Sequence, residues 1–190
     1  MRKIIVSLNI TLDGFMSGPN CELDWHFQSW TEEMAESLCE QLSKADTILL
    51  GRVTYDAMAK YWPSQSSNPS YPRMDIAFAE MMNNYPKIVF SKTLTATEWN
   101  NSRSVKGNIL TEITKLKQMP GNDMIIYGSG KIVSFLSRVN LIDEYVLWIH
   151  PVVLGKGRPL FKLSGQLRLE LIKTKTFRTG VVVVCYKVLK

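Results

Sequence analysis

The sequence has few cysteines and only short apolar runs, and these shortages exclude several classes of protein. Its three cysteines, Cys21, Cys39 and Cys185, are odd in number and widely spaced, and no Cys-x-x-Cys pair occurs. Neither a disulfide framework nor a zinc cluster is therefore predicted, and a reducing cytoplasm fits best. Val181–Cys185, one of the longest apolar runs, is far too short to cross a bilayer, so we do not expect a membrane protein.

Acidic residues are scarce near the C-terminus. The chain has a net charge of +6, and Glu170 is the only acidic residue after Gly155. Nine basic residues accompany it: Lys156, Arg158, Lys162, Arg168, Lys173, Lys175, Arg178, Lys187 and Lys190. The ordinary interpretation is a solvated face on surface strands, and the alternatives are attraction of an anionic ligand or of nucleic acid. No recognised nucleic-acid module accompanies these charges, which makes a nucleic-acid-binding domain the weakest hypothesis.

Short apolar strands alternate with helical patterns over a length that suits one domain, residues 1–190. Strands are predicted at Lys3–Leu8, Thr47–Leu50, Lys87–Ser91, Met124–Tyr127, Glu144–Ile149, Leu167–Phe177 and Val181–Leu189. Helices are predicted after a capping box Ser29-x-x-Glu32, over Thr54–Tyr61 with a stop at Pro63, and over Met74–Asn84, Leu110–Met119 and Lys131–Arg138. A tight turn makes the last two strands antiparallel. The prediction is an α/β fold with a mostly parallel sheet, covering helices and a C-terminal antiparallel hairpin.

Three of the predicted strands end in glycine or in polar residues, where ligands bind in such sheets. The first junction is Tyr127-Gly128-Ser129-Gly130-Lys131-Ile132, the second is Leu50-Gly51-Arg52-Val53-Thr54, and the third is Ser91-Lys92-Thr93. Small residues before a helix let backbone N–H groups approach a pyrophosphate, and Arg binds phosphate with two hydrogen bonds. The alternatives are a tight turn without ligand, a helix cap at Thr54 and a solvated Arg52.

The order of these motifs resembles the dihydrofolate reductase-like fold, a three-layer αβα arrangement, and within it the reductase domain of riboflavin biosynthesis. The resemblance covers essentially the whole chain. It rests on Leu12-Asp13-Gly14, Leu23-Asp24-Trp25, Leu50-Gly51-Arg52-x-Thr54-Tyr55, Tyr127-Gly128-Ser129-Gly130 and Leu154-Gly155-Lys156-Gly157-Arg158-Pro159-Leu160-Phe161.

The resemblance implies an NADPH site and a homodimer. Gly128, Ser129, Gly130, Lys131 and Ile132 would hold the pyrophosphate, whereas Gly51, Arg52, Thr54, Ser91 and Lys92 would hold the adenosine 2′-phosphate and ribose. Asn9, Asp13 and Gly14 would lie in the loop that closes over the nicotinamide. No resident metal is implied.

The residues that bind substrate and donate a proton are defined less sharply. Asp24 and Asp13 are the candidate catalytic acids, and Glu32 or Glu33 in the following helix are alternatives. Candidate substrate contacts are Trp25, which could stack on a flat ring, and Lys156 and Arg158, which suit a substrate phosphate. The alternatives are core packing of Trp25 and a turn or subunit contact at Arg158. His26 could also donate a proton, and its alternative is a packed surface position. His150, before Pro151, is predicted to be structural.

Three functions remain from the sequence. The first is an NADPH-dependent reductase acting on a small heterocycle, a ribosyl-aminopyrimidine or a pterin. The second is an NADP(H)-binding sensor without turnover, which the absence of an unambiguous acid favours. The third is the basic nucleic-acid-binding domain. The sequence lacks the His-x-Glu and Pro-Cys-x-x-Cys zinc site of the fused deaminase, so a riboflavin enzyme of this kind would carry only the reducing step.

Overall fold

The chain folds into two compact units of mixed α and β structure. The computed structural model describes residues 1–162 and 165–190. The first unit comprises residues 1–3 and 31–129, and the second comprises residues 4–30 and 130–190. The single domain over residues 1–190 stays a prediction.

Strands and helices alternate through the described residues. The strands are β1 (Ile4–Thr11), β2 (Phe15–Ser17), β3 (Ala45–Gly51), β4 (Lys87–Phe90), β5 (Ser102–Val105), β6 (Asp123–Ile126), β7 (Glu144–His150), β8 (Arg158–Pro159), β9 (Leu169–Thr176) and β10 (Val182–Val188). The helices are α1 (Asp24–Phe27), α2 (Glu32–Leu42), α3 (Arg52–Gln65), α4 (Arg73–Asn84), α5 (Ile109–Gln118) and α6 (Gly130–Arg138). No helix in these ranges is both long enough and apolar enough to span a membrane.

The four strands of the first unit are parallel and lie in the order β5-β4-β3-β6. Gly51 at the end of β3 pairs with Phe90 at the end of β4, and Leu49 pairs with Ile126 at the end of β6. All of β4 is buried, as expected for a parallel strand covered on both faces. The register therefore brings the carboxyl ends of these three strands to one edge.

In the second unit, β1 pairs parallel with β7, whereas β10 pairs antiparallel with both β7 and β9. The turn of the final hairpin is closed by the Phe177 amide, which donates to the Val181 carbonyl at 2.9 Å. A separate small sheet pairs β2 with β8. The predicted fold class, a mostly parallel α/β sheet with a C-terminal antiparallel hairpin, is confirmed.

Helix α2 buries one face, with Met34, Ala35, Leu38 and Leu42 in the core. Its N-cap is Thr31, whose Oγ1 accepts a hydrogen bond from the Met34 amide at 3.4 Å. The predicted capping box at Ser29 is therefore wrong. Ser29 instead follows α1, and its amide donates to the His26 carbonyl at 3.3 Å. The sequence pattern did not predict α1, so it gave no reason to place Ser29 after α1 and not at the N-cap of α2.

Helix α3 continues through Pro63 to Gln65, so the predicted stop is wrong. Proline removes one donor and crowds the preceding turn, but this cost is smaller in the last turn. Nearby side chains also supply donors there. Ser64 and Gln65 donate to the Tyr61 carbonyl at 3.1 Å each, and Asn83 donates to the Trp62 carbonyl at 3.0 Å.

Four short elements, α1, β2, β5 and β8, were not predicted from the sequence. They are two to four residues long, too short to show a period of 2.0 or 3.6 residues. The β2–β8 pair depends on Gly157, because a Cβ at that position would overlap the backbone oxygen of Ser17.

The side chain of a buried lysine caps the C-terminal end of helix α4. Lys87 is 1% exposed, and its ammonium donates to the carbonyls of Met82, Asn83 and Tyr85 at 2.9, 2.9 and 2.7 Å. It also lies 4.4 Å from the centre of the Trp99 ring. Burial lowers the pKa of Lys87 to about 8. At neutral pH the protonated side chain therefore satisfies carbonyls that the helix leaves without partners.

We expect Lys87→Met to lower the free energy of unfolding by about 1–3 kcal/mol, because three buried carbonyls lose their donor. Urea unfolding measures the change. Lys60→Met, at an exposed position of α3, is the matched control and should change stability by less than about 0.5 kcal/mol. Equal losses in the two variants would contradict this role of Lys87.

Candidate functional site

The first unit brings two of the predicted ligand-binding junctions together at the start of α3. Gly128, which follows β6, lies against Thr54 in the first turn of α3. A Cβ built on Gly128 would lie 3.1 Å from Thr54 Cγ2 and 3.6 Å from Thr54 Oγ1. The register of β3 with β6 produces this approach. The glycine junction and the Arg52–Thr54 junction are thus on the same side of the unit.

The chain after β6 has an unusual backbone. Gly128 has φ +100° and Ser129 has φ +80°. Glycine adopts such angles readily, whereas serine is strained in them. Successive left-handed residues turn backbone N–H groups outward, and turns of this kind bind anions.

The N-terminus of α3 has no side-chain cap. Gly51 is its N-cap residue, with φ −92° and ψ 161°, and contributes no side-chain hydrogen bond. The first N–H groups of a helix lack partners within the helix and carry partial positive charge. They form a natural anion site, and Arg52 is the first residue of this helix.

Three further side chains line the predicted phosphate region of the first unit. Arg52 is half-exposed and pairs with Asp56 at 3.2 Å between Nη1 and Oδ2. The Ser91 hydroxyl accepts hydrogen bonds from the Thr93 and Leu94 amides at 3.2 and 3.0 Å, which shapes the turn after β4. Lys92 is exposed in that turn. The edge thus has two exposed cations, each beside the end of a parallel strand.

The second segment of the second unit begins at Gly130, the first residue of α6, which lies against the end of the Met16 side chain. A Cβ at Gly130 would overlap the end of the Met16 side chain. Lys131 is exposed, whereas Ile132 is 4% exposed and packs in the core. Any contact of Ile132 with a ligand would therefore come from its backbone.

Asp13 holds two loops of the second unit together. Its carboxylate accepts from the Thr11 hydroxyl at 2.5 Å, from the Leu154 amide at 3.3 Å and from the Gly155 amide at 2.8 Å. Gly14 follows with φ +82°. The Thr11 hydroxyl is the largest of several hydrogen bonds that lower the pKa of Asp13. Asp13 is therefore a carboxylate at neutral pH, and its contacts give it a structural role in the loop.

Asn9 lies within β1, not in the loop that follows it, so that part of the expectation is wrong. The side-chain Oδ1 of Asn9 is 3.0 Å from Nε2 of His150, the last residue of β7. β1 and β7 pair in parallel, with Asn9 opposite Trp148 and Thr11 opposite His150, so Asn9 and His150 are diagonal neighbours on the two strands. His150 is fully buried, and burial, followed by the nearby His26, lowers its pKa to about 4.

An aromatic cluster surrounds His150. The ring centre of Trp25 lies 5.2 Å from that of His150, and the ring centre of His26 lies 6.1 Å from it. Trp25 is 5% exposed, so most of its surface is packed in the protein. Burial lowers the pKa of His26, against a smaller opposing effect of Asp24. Asp24 itself is exposed at the first residue of α1.

Arg158 and Lys156 lie in and beside β8. Arg158 Nε donates to the Pro19 carbonyl at 3.3 Å, and its charge contributes to lowering the pKa of Glu22, after the larger effects of backbone and Asn20 hydrogen bonds. Lys156 is exposed. Arg158 thus anchors the Pro19–Glu22 turn, and contact with a substrate phosphate stays a prediction for both cations.

No group of three potential metal ligands from His, Cys, Asp and Glu occurs in residues 1–162 and 165–190. The structural role of His150 stays a prediction, and the structure adds its contact with Asn9, which the sequence analysis does not predict. The available signal is Asn9 itself, the only carboxamide in β1, whose other polar residues are Ser7 and Thr11.

Comparison with known proteins identifies the family. A sequence model described as the RibD C-terminal domain matches residues 2–183. The chain belongs to the RibD C-terminal domain family. It is 36% identical over 186 residues to YyaP of Bacillus subtilis strain 168, a protein described as uncharacterized, and the match covers 97% of this chain and 94% of YyaP.

Solved structures confirm the dihydrofolate reductase-like fold. A Shewanella sp. PV-4 protein named for riboflavin biosynthesis superposes with a TM-score of 0.76 at 22% identity, over 99% of each chain. Dihydrofolate reductase from Enterococcus faecalis, complexed with NADP(H), superposes with a TM-score of 0.63 at 12% identity, over 99% of this chain and 97% of that one. At these identities the likeness establishes the fold.

We expect Gly128→Ala to lower the free energy of unfolding by about 1–2 kcal/mol, because alanine is strained at φ +100° and its Cβ would crowd Thr54. Thermal or urea unfolding measures the loss. Gly107→Ala is the control, since a Cβ there meets open space at an ordinary φ. An undiminished stability of Gly128→Ala would show that the close approach to Thr54 is wrong.

For Asp13, we expect the Gly155 amide signal to titrate below the ordinary carboxyl pKa of 3.8. The folded pKa is lowered, so the hydrogen bonds are present at higher pH and are lost as pH falls through that value. NMR follows the Gly155 amide. In Asp13→Asn the transition should disappear and the amide should exchange faster, whereas a transition at or above pH 3.8 in the wild type would contradict the assignment.

Proposed function

We propose that this chain is an NADPH-dependent reductase that transfers a hydride to a small heterocycle of the ribosyl-aminopyrimidine or pterin type. The observation that carries the proposal is the contact of Gly128 with Thr54 in the first turn of α3. It joins a glycine turn suited to a pyrophosphate with a cationic helix start suited to a further phosphate. Membership of the RibD C-terminal domain family supports the same reaction class.

The residues of the first unit fit the phosphates of this coenzyme. A side chain at position 128 would crowd Thr54, so glycine lets the backbone of this turn come close to the start of α3. Backbone N–H groups of Gly128 and Ser129 would bind the pyrophosphate, with the Gly130–Ile132 backbone following in the chain. The uncapped start of α3 at Gly51 and the hydroxyls of Thr54 and Ser91 would add hydrogen bonds to phosphate and ribose.

Arg52 and Lys92 would select NADPH over NADH through the 2′-phosphate. The Arg52–Asp56 pair is an exposed pair of residues four apart on a helix, a type that contributes only about 0.3–0.5 kcal/mol. A phosphate dianion binds arginine more strongly and with two hydrogen bonds. Arg52 can therefore exchange Asp56 for the phosphate at little cost.

The second unit supplies the candidates for the reacting end. When bound, NADPH supplies the hydride. Asn9 and the Asp13–Gly14 loop are proposed at the nicotinamide, and Trp25, Lys156 and Arg158 at the substrate. Because the Asp13 carboxylate is ionised and already accepts three hydrogen bonds, it positions the loop. Asp24, exposed at the start of α1, is the acid we propose as proton donor.

One observation favours the alternative of an NADP(H)-binding sensor without turnover. Of the two acids nearest the proposed reacting end, Asp13 is committed to the loop, and Asp24 is exposed on a helix of four residues. Enzymes usually hold a general acid in buried surroundings, which Asp24 does not have. Loss of NADPH absorbance with ribosyl-aminopyrimidine or pterin substrates separates the reductase from the sensor.

We expect Arg52→Ala to weaken NADPH binding about 10- to 100-fold, the loss of one charge-assisted contact of about 1.5–3 kcal/mol. NADH binding should change little, because NADH lacks the 2′-phosphate. Titration calorimetry measures both constants. Arg73→Ala is the matched control, since Arg73 is also an exposed first residue of a helix.

Three results would overturn the assignment: equal affinity of the wild type for NADPH and NADH, an equal loss for both coenzymes in Arg52→Ala, or a comparable loss in Arg73→Ala. Steeply salt-dependent binding of oligonucleotides without affinity for NADPH would instead support the nucleic-acid hypothesis.

A further inference from the structure

Half-buried Asn9 and buried His150 form a side-chain pair that packing does not require. Asn9 is the only residue of β1 that is not fully buried. Its Oδ1 lies 3.0 Å from His150 Nε2. Within the described part of the chain, the Asn9 amide nitrogen makes no hydrogen bond. The carboxamide is thus held by its acceptor end, and its two N–H donors remain available.

The partner of Asn9 is held in a single protonation state. An amide oxygen only accepts hydrogen bonds, so Nε2 of His150 must carry the proton that it donates. His150 is fully buried and stays neutral at physiological pH, since its pKa is lowered to about 4. Nδ1 is therefore the unprotonated nitrogen, and it is buried without a hydrogen-bond partner.

The unpartnered Nδ1 of His150 lowers the stability of the folded state. A buried polar atom without a partner destabilises the folded state, and replacing both polar partners by apolar groups of similar shape is often neutral. Trp25 packs edge-on against His150, and an apolar side chain could fill the same space. Stability alone does not account for the pair.

We infer that His150 is a positioning residue: its Nε2–H fixes the Asn9 carboxamide so that the Asn9 N–H groups bind the carbonyl oxygen of the nicotinamide carboxamide. This inference rests on the proposed function and identifies the polar contact at the reacting end of the coenzyme. His150 touches neither coenzyme nor substrate in this role. It acts through the orientation of Asn9.

Two substitutions separate positioning from packing. His150→Leu removes the donor and keeps an apolar side chain, whereas His150→Gln retains an N–H close to the position of Nε2. We expect His150→Leu to weaken NADPH binding about tenfold and His150→Gln to stay within about twofold of the wild type. ADP-ribose 2′-phosphate, which lacks the nicotinamide, should bind all three proteins equally.

A double-mutant cycle tests whether His150 acts through Asn9. In the Asn9→Ala background, His150→Leu should produce no further loss of NADPH affinity. NMR supplies a readout without coenzyme: the two side-chain amide protons of Asn9, assigned by their absence in Asn9→Ala, should have chemical shifts away from those of a solvated asparagine in the wild type and in His150→Gln. In His150→Leu both signals should move to the shifts of a solvated asparagine, and the protons should exchange faster with water. His150→Phe replaces His150→Leu if that protein does not fold.

Equal effects of His150→Leu and His150→Gln, additive losses in the cycle, or unchanged Asn9 signals in His150→Leu would each overturn the inference. So would equal weakening of ADP-ribose 2′-phosphate. A wild type that binds no NADPH would overturn the proposed function and the coenzyme contact together. The Asn9 signals would then decide separately whether His150 orients the carboxamide.

Discussion

The parallel register of β4, β3 and β6 is the constraint on which the candidate phosphate site depends. With Gly51 opposite Phe90 and Leu49 opposite Ile126, each strand releases its chain at the same edge. Short polar or glycine-containing segments, such as those at Gly51 and Gly128, 77 residues apart in sequence, thereby become neighbours. A slip of one residue would move every side chain of a strand to the opposite face of the sheet, and because both faces of β4 are packed, the core would have to repack; packing of the core therefore holds the strand ends in register.

Polar groups in the second unit have a different physical basis. Asp13 gains from its exposed position, where a hydroxyl and two backbone amides stabilise its negative charge. His150 is buried, and the same low-polarity surroundings that exclude water keep it neutral. One side chain organises a loop through charge and the other orients a neighbour without charge. Both lie close to the end of β1.

Much of the fold could be predicted because long elements carry periodic patterns. The face of α2, the strand–helix alternation and the final hairpin follow from the spacing of apolar residues and from the turn before Val181. The short elements and the N-cap of α2 could not be predicted. α1 and β2 have only four and three residues, too few to show a repeating pattern of apolar residues. The predicted stop of α3 at Pro63 failed. Side chains of Ser64, Gln65 and Asn83 donate to carbonyls of the last turn, and the sequence pattern does not predict these hydrogen bonds.

For the candidate site, too, some features follow from the sequence and others only from the tertiary structure. The sequence by itself determined which residues end the strands, because glycine and polar residues interrupt apolar runs, and its motifs indicated the family. Only the tertiary structure decided that Gly128 touches Thr54, that Asp13 is occupied by the Leu154–Gly155 loop and that His150 meets Asn9. These contacts join residues far apart in the chain, and their geometry depends on strand register and burial, which no short segment encodes.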